Sequence, residues 1–167
     1  PEGVLETFKS SKLFLYGYFS AAGELIKIYQ PKIKDKKFIK VRNHLQGYDQ
    51  LTFKTKYLLI VSSLKDLMAF ERLGIKNIEA VAPDSENSMI PKPIMEQLIS
   101  SYTKVIVLFD NDDPGKKSAE NYHRLYNLDS INLDLAKDLS DSIKEYGILA
   151  VRNLTYTLLK KLLTKII

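Results

Sequence analysis

The chain has no cysteine, no tryptophan and only two histidines among its 167 residues. Without thiols there is neither a disulfide framework nor a thiolate zinc site. His44 and His123 are too few to build an imidazole metal centre, so any divalent cation must be held by carboxylates. No apolar run approaches the ~20 residues needed to cross a bilayer, and the N-terminal residues lack a secretory signal pattern. The expectation is a protein of the reducing cytoplasm with no membrane partner. What is present describes a soluble globular chain, 45% hydrophobic and 27% charged. Its net charge of +5 is unevenly spread: residues 32–42, KIKDKKFIKVR, hold six Lys/Arg against one Asp, whereas acids gather after residue 105. A basic strip and an acidic cluster suit a phosphate polymer and a divalent cation respectively.

The acidic cluster lies in VIVLFDNDDPG, residues 105–115. An apolar, β-rich run ends abruptly in Asp110, Asn111, Asp112 and Asp113 before Pro114 and Gly115, which predicts a buried parallel strand running into a helix. Ligands of open α/β sheets sit outside the carboxyl ends of strands. Asp110 and Asp112, two residues apart at such an end, present two hard oxygen donors to Mg²⁺. A structural role competes with this one, because Asp112 or Asp113 can cap a helix that begins near Pro114.

Before this stretch, residues 12–20 and 24–30 have the pattern of a β-hairpin around Ala-Ala-Gly, and 36–42 alternates partly, with Phe38 and either Ile39 or Val41 inward and Lys37, Lys40 and Arg42 outward. Those cations read either as a charged sheet edge or as a phosphate-tracking face, with Tyr16, Tyr18, Tyr29 and Tyr48 as candidate stacking partners for bases. From Tyr57 the rhythm becomes strand and helix in alternation. Predicted strands are 57–61, 78–82, 105–109 and 130–135, with helices after Ser63, from about Pro91, after Pro114 and over 150–166. Ser63 and Asp66 outline a capping box, and Gly74 closes that helix. The fold class is α/β, a parallel four-stranded sheet flanked by helices and preceded by a small basic β-rich subdomain. Boundaries are expected at 1–54, 55–146 and 147–167.

Acids therefore follow successive strands: Asp66 after the first, Asp110 and Asp112 after the third, Asp138 and Asp141 after the fourth. Together with SLKDLM, SENS, LFDNDDPG and KDLSD, this order resembles the TOPRIM domain of bacterial and phage-type DNA primases, and FIKVRNHLQGYDQL resembles the basic subdomain that precedes it. The likeness implies a nucleotidyltransferase making short RNA primers on a single-stranded DNA template from ribonucleoside triphosphates, with Mg²⁺ or Mn²⁺ as cofactor and a replicative helicase as candidate partner. Asp110 and Asp112 would bind metal, joined by Asp138 and Asp141. Asp66 would belong to the catalytic set, and Lys37, Lys40, Arg42 and Lys65 would hold template or triphosphate. One departure stands out: the family motif opens with Glu-Gly, where this chain has Ser62 and Ser63. Serine is no anionic ligand, so the expectation is that Glu86, in the loop after the neighbouring strand, supplies the missing charge. The rival reading is a catalytically degenerate TOPRIM module that binds DNA or a helicase. A TOPRIM nuclease fits less well, and a DxD phosphatase or a receiver domain would need its acids after the first strand.

Overall fold

A computed structural model describes residues 15–85 and 88–164. The chain divides into two compact units, Pro1–Asn43 and His44–Ile167.

In the first unit, strands β1 (Tyr16–Phe19), β2 (Leu25–Tyr29) and β3 (Phe38–Lys40) form an antiparallel sheet in that order. The expected hairpin is present, with Gly23 at φ 78° in its turn; residues 12–14 lie outside the described ones. Phe38 departs from the expectation, whereas Ile39 inward and Lys40 outward agree with it. Phe38 is 57% exposed while Ile39 is half-buried, because Ile39 pairs with Ile28 in the row that also buries Ile26 on the same face.

The second unit contains β4 (Tyr57–Val61), α1 (Leu64–Leu73), β5 (Ile78–Val81), α2 (Lys92–Ser101), β6 (Lys104–Leu108), α3 (Asp113–Tyr126), β7 (Asp129–Ser130), α4 (Leu139–Tyr146) and α5 (Ile148–Thr164). Its four strands pair in parallel in the order β5-β4-β6-β7, as the alternating pattern predicts. Successive residues of a strand point to opposite faces, and here both faces are buried. Leu59, Val61, Ile106 and Leu108 pack with Leu67, Phe70 and Leu73 of α1 and with Val151 and Leu159 of α5. Leu58, Ile60, Val105 and Val107 pack on the other side with Met95, Leu98 and Tyr122. That two-sided burial explains why β4 and β6 read as unbroken apolar runs.

Residues 44–51, grouped in sequence with the basic stretch, pack on the second unit. Gln46 exchanges backbone hydrogen bonds of 2.9 Å with Ala82, and Leu45 joins the core with Leu58 and Ile60. Gly47 permits this approach: its φ is 84°, and a Cβ there would meet the Ala80 carbonyl oxygen at 3.0 Å. The fourth strand is far shorter than 130–135. Only Asp129 and Ser130 pair with β6, since Asn132 Oδ1 accepts the N–H of Asp134 and Asp134 turns left-handed at φ 53°. On α5 the fully buried line is Val151, Thr155 and Leu159, with Leu154, Leu158 and Leu162 beside it. Thr155 tolerates burial because its hydroxyl donates to the Val151 carbonyl at 2.7 Å.

Candidate active site

Strand order reverses between β4 and β6: the crossover from β4 leads to one side, and β6 returns on the other. At such a switch point the carboxyl ends of neighbouring strands part and leave a crevice. Ser62 follows β4 and Asp110 follows β6. Ser62 is buried, and its hydroxyl accepts the Asp110 backbone N–H at 2.8 Å. Ser62, where the resemblance leads one to expect a glutamate, thus ties the two strand ends together. Sequence reasoning missed this role, because the partners are 48 residues apart.

The capping reading of the DxD stretch falls on Asp112. Asp112 is the N-cap of α3, its Oδ1 accepting the Gly115 N–H at 2.9 Å, while its Oδ2 lies 3.3 Å from Lys137 Nζ. The cap bond and then the Lys137 charge hold its carboxyl below the usual range. Asp110 is buried, and its Oδ2 lies 4.0 Å from the same Lys137. Gly115 is a geometric necessity, since a Cβ there would meet the Asp110 carbonyl oxygen at 2.2 Å. A cleft of about 480 Å³ opens on these groups, lined among others by Ser62, Met89, Phe109, Asp110, Asp112 and Tyr122. Tyr122 is a rigid wall of it: burial pushes its phenol up to about 12, and its oxygen accepts the Ile90 N–H at 3.0 Å.

The other acids form a separate group where α1 meets α4. Ser63 caps α1 through the Asp66 N–H at 3.3 Å and donates its hydroxyl to Asp66 Oδ2 at 2.6 Å. This is the expected box, closed through the hydroxyl rather than the backbone N–H. Asp138 caps α4: Oδ1 accepts the Asp141 N–H at 2.7 Å, and Oδ2 accepts Lys65 Nζ at 2.7 Å. Asp66 is buried and receives the Ser140 N–H at 3.3 Å. Burial, with the Asp138 charge adding to it, raises the Asp66 carboxyl above its usual range. Asp138 is lowered: its partial burial pushes the other way, but Lys65 and the cap bond outweigh it.

The structure therefore brings Asp110 and Asp112 together but does not join Asp138 and Asp141 to them. Among the described residues, no three acids or histidines form a group able to hold one ion. The start of α4 needs a cap, and Asp138 spends both oxygens on that cap and on Lys65. Asp141 lies 3.9 Å from Lys65 and is partly exposed. Lys65, expected at phosphate, is engaged by Asp138. Glu86 lies outside the described residues. In the first unit Lys37 and Lys40 are exposed, and Arg42 pairs with Glu24 at 2.7 Å. The Asp110/Asp112 pair nonetheless fits a magnesium ion, which is commonly bound by one or two carboxylates and completed by water and substrate phosphates.

The Toprim-like family matches residues 59–143 of this chain. No curated protein matches it. Among solved structures, the RNA polymerase domain of Mycobacterium tuberculosis primase DnaG superposes with a TM-score of 0.62 at 17% identity, over 87% of this chain and 55% of that one. The primase fragment of the bacteriophage T7 primase-helicase gives 0.60 at 17% identity, over 80% and 58%. A structure of bacteriophage T7 lagging-strand DNA polymerase interacting with primase domains of two gp4 subunits, with an RNA/DNA hybrid and dTTP, gives 0.63 at 16%, over 85% and 76%. The chain spans about 55% of the length of the mycobacterial domain. Strand order, the paired aspartates at the switch point and the matched segment agree, and the chain belongs to the Toprim-like family.

Proposed function

We propose that this chain is the catalytic core of a DNA primase, joining ribonucleoside triphosphates into a short primer on a single-stranded DNA template. The observation that carries the reading is Asp110 and Asp112 at the switch-point crevice of a Toprim-like sheet, facing a cleft that can admit a nucleotide. Asp110 and Asp112 would hold Mg²⁺ or Mn²⁺, which supplies charge neutralisation for the triphosphate and a lowered pKa for the attacking 3′-hydroxyl. Ser62 holds the Asp110 backbone in register, and Gly115 lets α3 begin against it. Lys137, within 4.0 Å of both carboxylates, balances their charge and would be available to a phosphate once a cation were held there. Lys37, Lys40 and Arg42 contact the template backbone, and a replicative helicase is the partner such a core would serve.

A second reading has its own observation. Ser62 replaces the motif glutamate, and the described acids fall into two groups rather than one, as in a non-catalytic module that binds DNA or a helicase. Primer synthesis with labelled ribonucleotides, single-stranded template and Mg²⁺ or Mn²⁺ decides between them. Dinucleotide and longer products that vanish in Asp112→Asn support the primase. Template binding without any product supports the module.

A further inference from the structure

Strand register gathers two cross-strand rows on one face of the N-terminal sheet. Tyr16, Tyr29 and Phe38 are direct partners across β1, β2 and β3, and Tyr18, Lys27 and Lys40 form the row two residues along on the same face. The first row is continuous aromatic surface. Tyr16 and Tyr29 have ring centroids 5.9 Å apart, and Tyr29 and Phe38 stack at 4.8 Å. Its ends are open to solvent, Tyr16 at 53% and Phe38 at 57% exposure. Cations border it: Lys27 Nζ lies 5.8 Å from the Phe38 centroid and Lys37 Nζ 5.9 Å from that of Tyr29.

The charge of the unit says what such a surface meets. Residues 1–43 carry nine Lys/Arg and four Asp/Glu, so the +5 of the whole chain belongs to this unit and residues 44–167 are neutral. A polyanion is drawn here. Lysines alone would accept any polyanion, but exposed rings in a row need flat partners with accessible faces. An acidic peptide leaves the rings uncovered, and a duplex hides its base faces. We infer that the Tyr16–Tyr29–Phe38 face is a base-stacking platform for single-stranded nucleic acid, with Lys27, Lys37 and Lys40 neutralising the phosphates of the stacked strand. The inference rests on the primase reading only for which strand arrives; stacking itself requires neither metal nor triphosphate.

The test is fluorescence anisotropy of a labelled short oligothymidine titrated with the full chain, without metal or nucleotide, alongside oligouridine and a blunt duplex. Phe38→Leu keeps the apolar bulk but removes the π-face, and is expected to weaken oligothymidine binding about tenfold. Phe38→Tyr is expected to restore it. The slope of log affinity against log salt should stay unchanged in Phe38→Leu and become shallower in Lys37→Ala. Tyr16→Leu, at the other exposed end of the row, repeats the measurement independently of any effect on β3. Preference for oligothymidine or oligouridine names the strand, and either supports a platform. Wild-type affinity in both leucine variants, or duplex binding as tight as single-strand binding, overturns it. Absence of primer synthesis with binding intact counts against the primase reading and leaves the platform standing.

Discussion

Two groups of aspartates flank the carboxyl edge of the parallel sheet, and the fold uses them differently. Asp110 and Asp112 share one exposed counter-ion, Lys137, and line an open cleft. Asp66 and Asp138 are stitched into helix starts, with Ser63, Ser140, Asp141 and Lys65 filling their acceptor positions. Asp112 and Asp138 are alike in capping a helix through one oxygen and pairing with a largely exposed lysine through the other. They differ in place: Asp112 shares its lysine with buried Asp110 on an open cleft, and Asp138 lies beside buried Asp66 where α1 meets α4. Under the proposed function, the first pair is the one placed for chemistry and the second serves the architecture of α1 and α4.

The largest effect that tests this division is expected from Asp112→Asn, where primer synthesis should fall on the order of a hundredfold or more, since an ion-binding charge is lost while the amide oxygen can still cap α3. A product yield within a few-fold of wild type would move the ion site elsewhere. Gly115→Ala should destabilise the fold by about 3 kcal/mol, because its Cβ must displace backbone at Asp110 rather than a side-chain tip; urea unfolding measures it, and a wild-type midpoint would mean that the α3 start is not so closely apposed. Asp138→Ala should cost about 1 kcal/mol through the lost α4 cap, read from the same unfolding curves, and Lys65→Ala about 0.5 kcal/mol or less, as its ammonium is largely exposed.

pH sharpens the contrast inside the architectural group. Asp138 has a folded pKa below its ordinary 3.8, so its contribution is complete above that value and is lost as pH falls through the lowered one. Asp66 is shifted the other way, so its stabilisation is present below 3.8 and is lost as pH rises through the raised value. Asp66→Asn should therefore remove a loss of stability on going from acid toward neutral pH, and Asp138→Asn should remove a gain. Unfolding midpoints across that range check both signs, and parallel profiles for the two variants would refute the assignment.

Much of the architecture was legible in sequence for local reasons. Continuous apolar runs at 57–61 and 105–108 mark strands buried on both faces, and Ser63, Asp112 and Gly74 lie where helix ends need them. The DxD stretch was recognisable because its acids follow directly on such a strand. What stayed hidden depended on distant partners or on short-range turn chemistry. The hydrogen bond from the Asp110 N–H to Ser62 and the ion pair of Asp138 with Lys65, 73 residues away, could not be read from spacing. Phe38 faced outward because its neighbour Ile39 pairs with Ile28 on the inner face, and β7 stopped early because Asn132 and Asp134 closed a turn.

By itself the sequence determined the α/β alternation, the concentration of positive charge in residues 1–43, and the pair of aspartates at the end of a buried strand. Hydrophobic periodicity, capping and net charge are written within a few residues of where they act. Only the tertiary structure decided which carboxylates meet at Lys137 on an open cleft and which meet at Lys65 between α1 and α4. That choice depends on hydrogen bonds between segments far apart in the chain, and no local spacing encodes it.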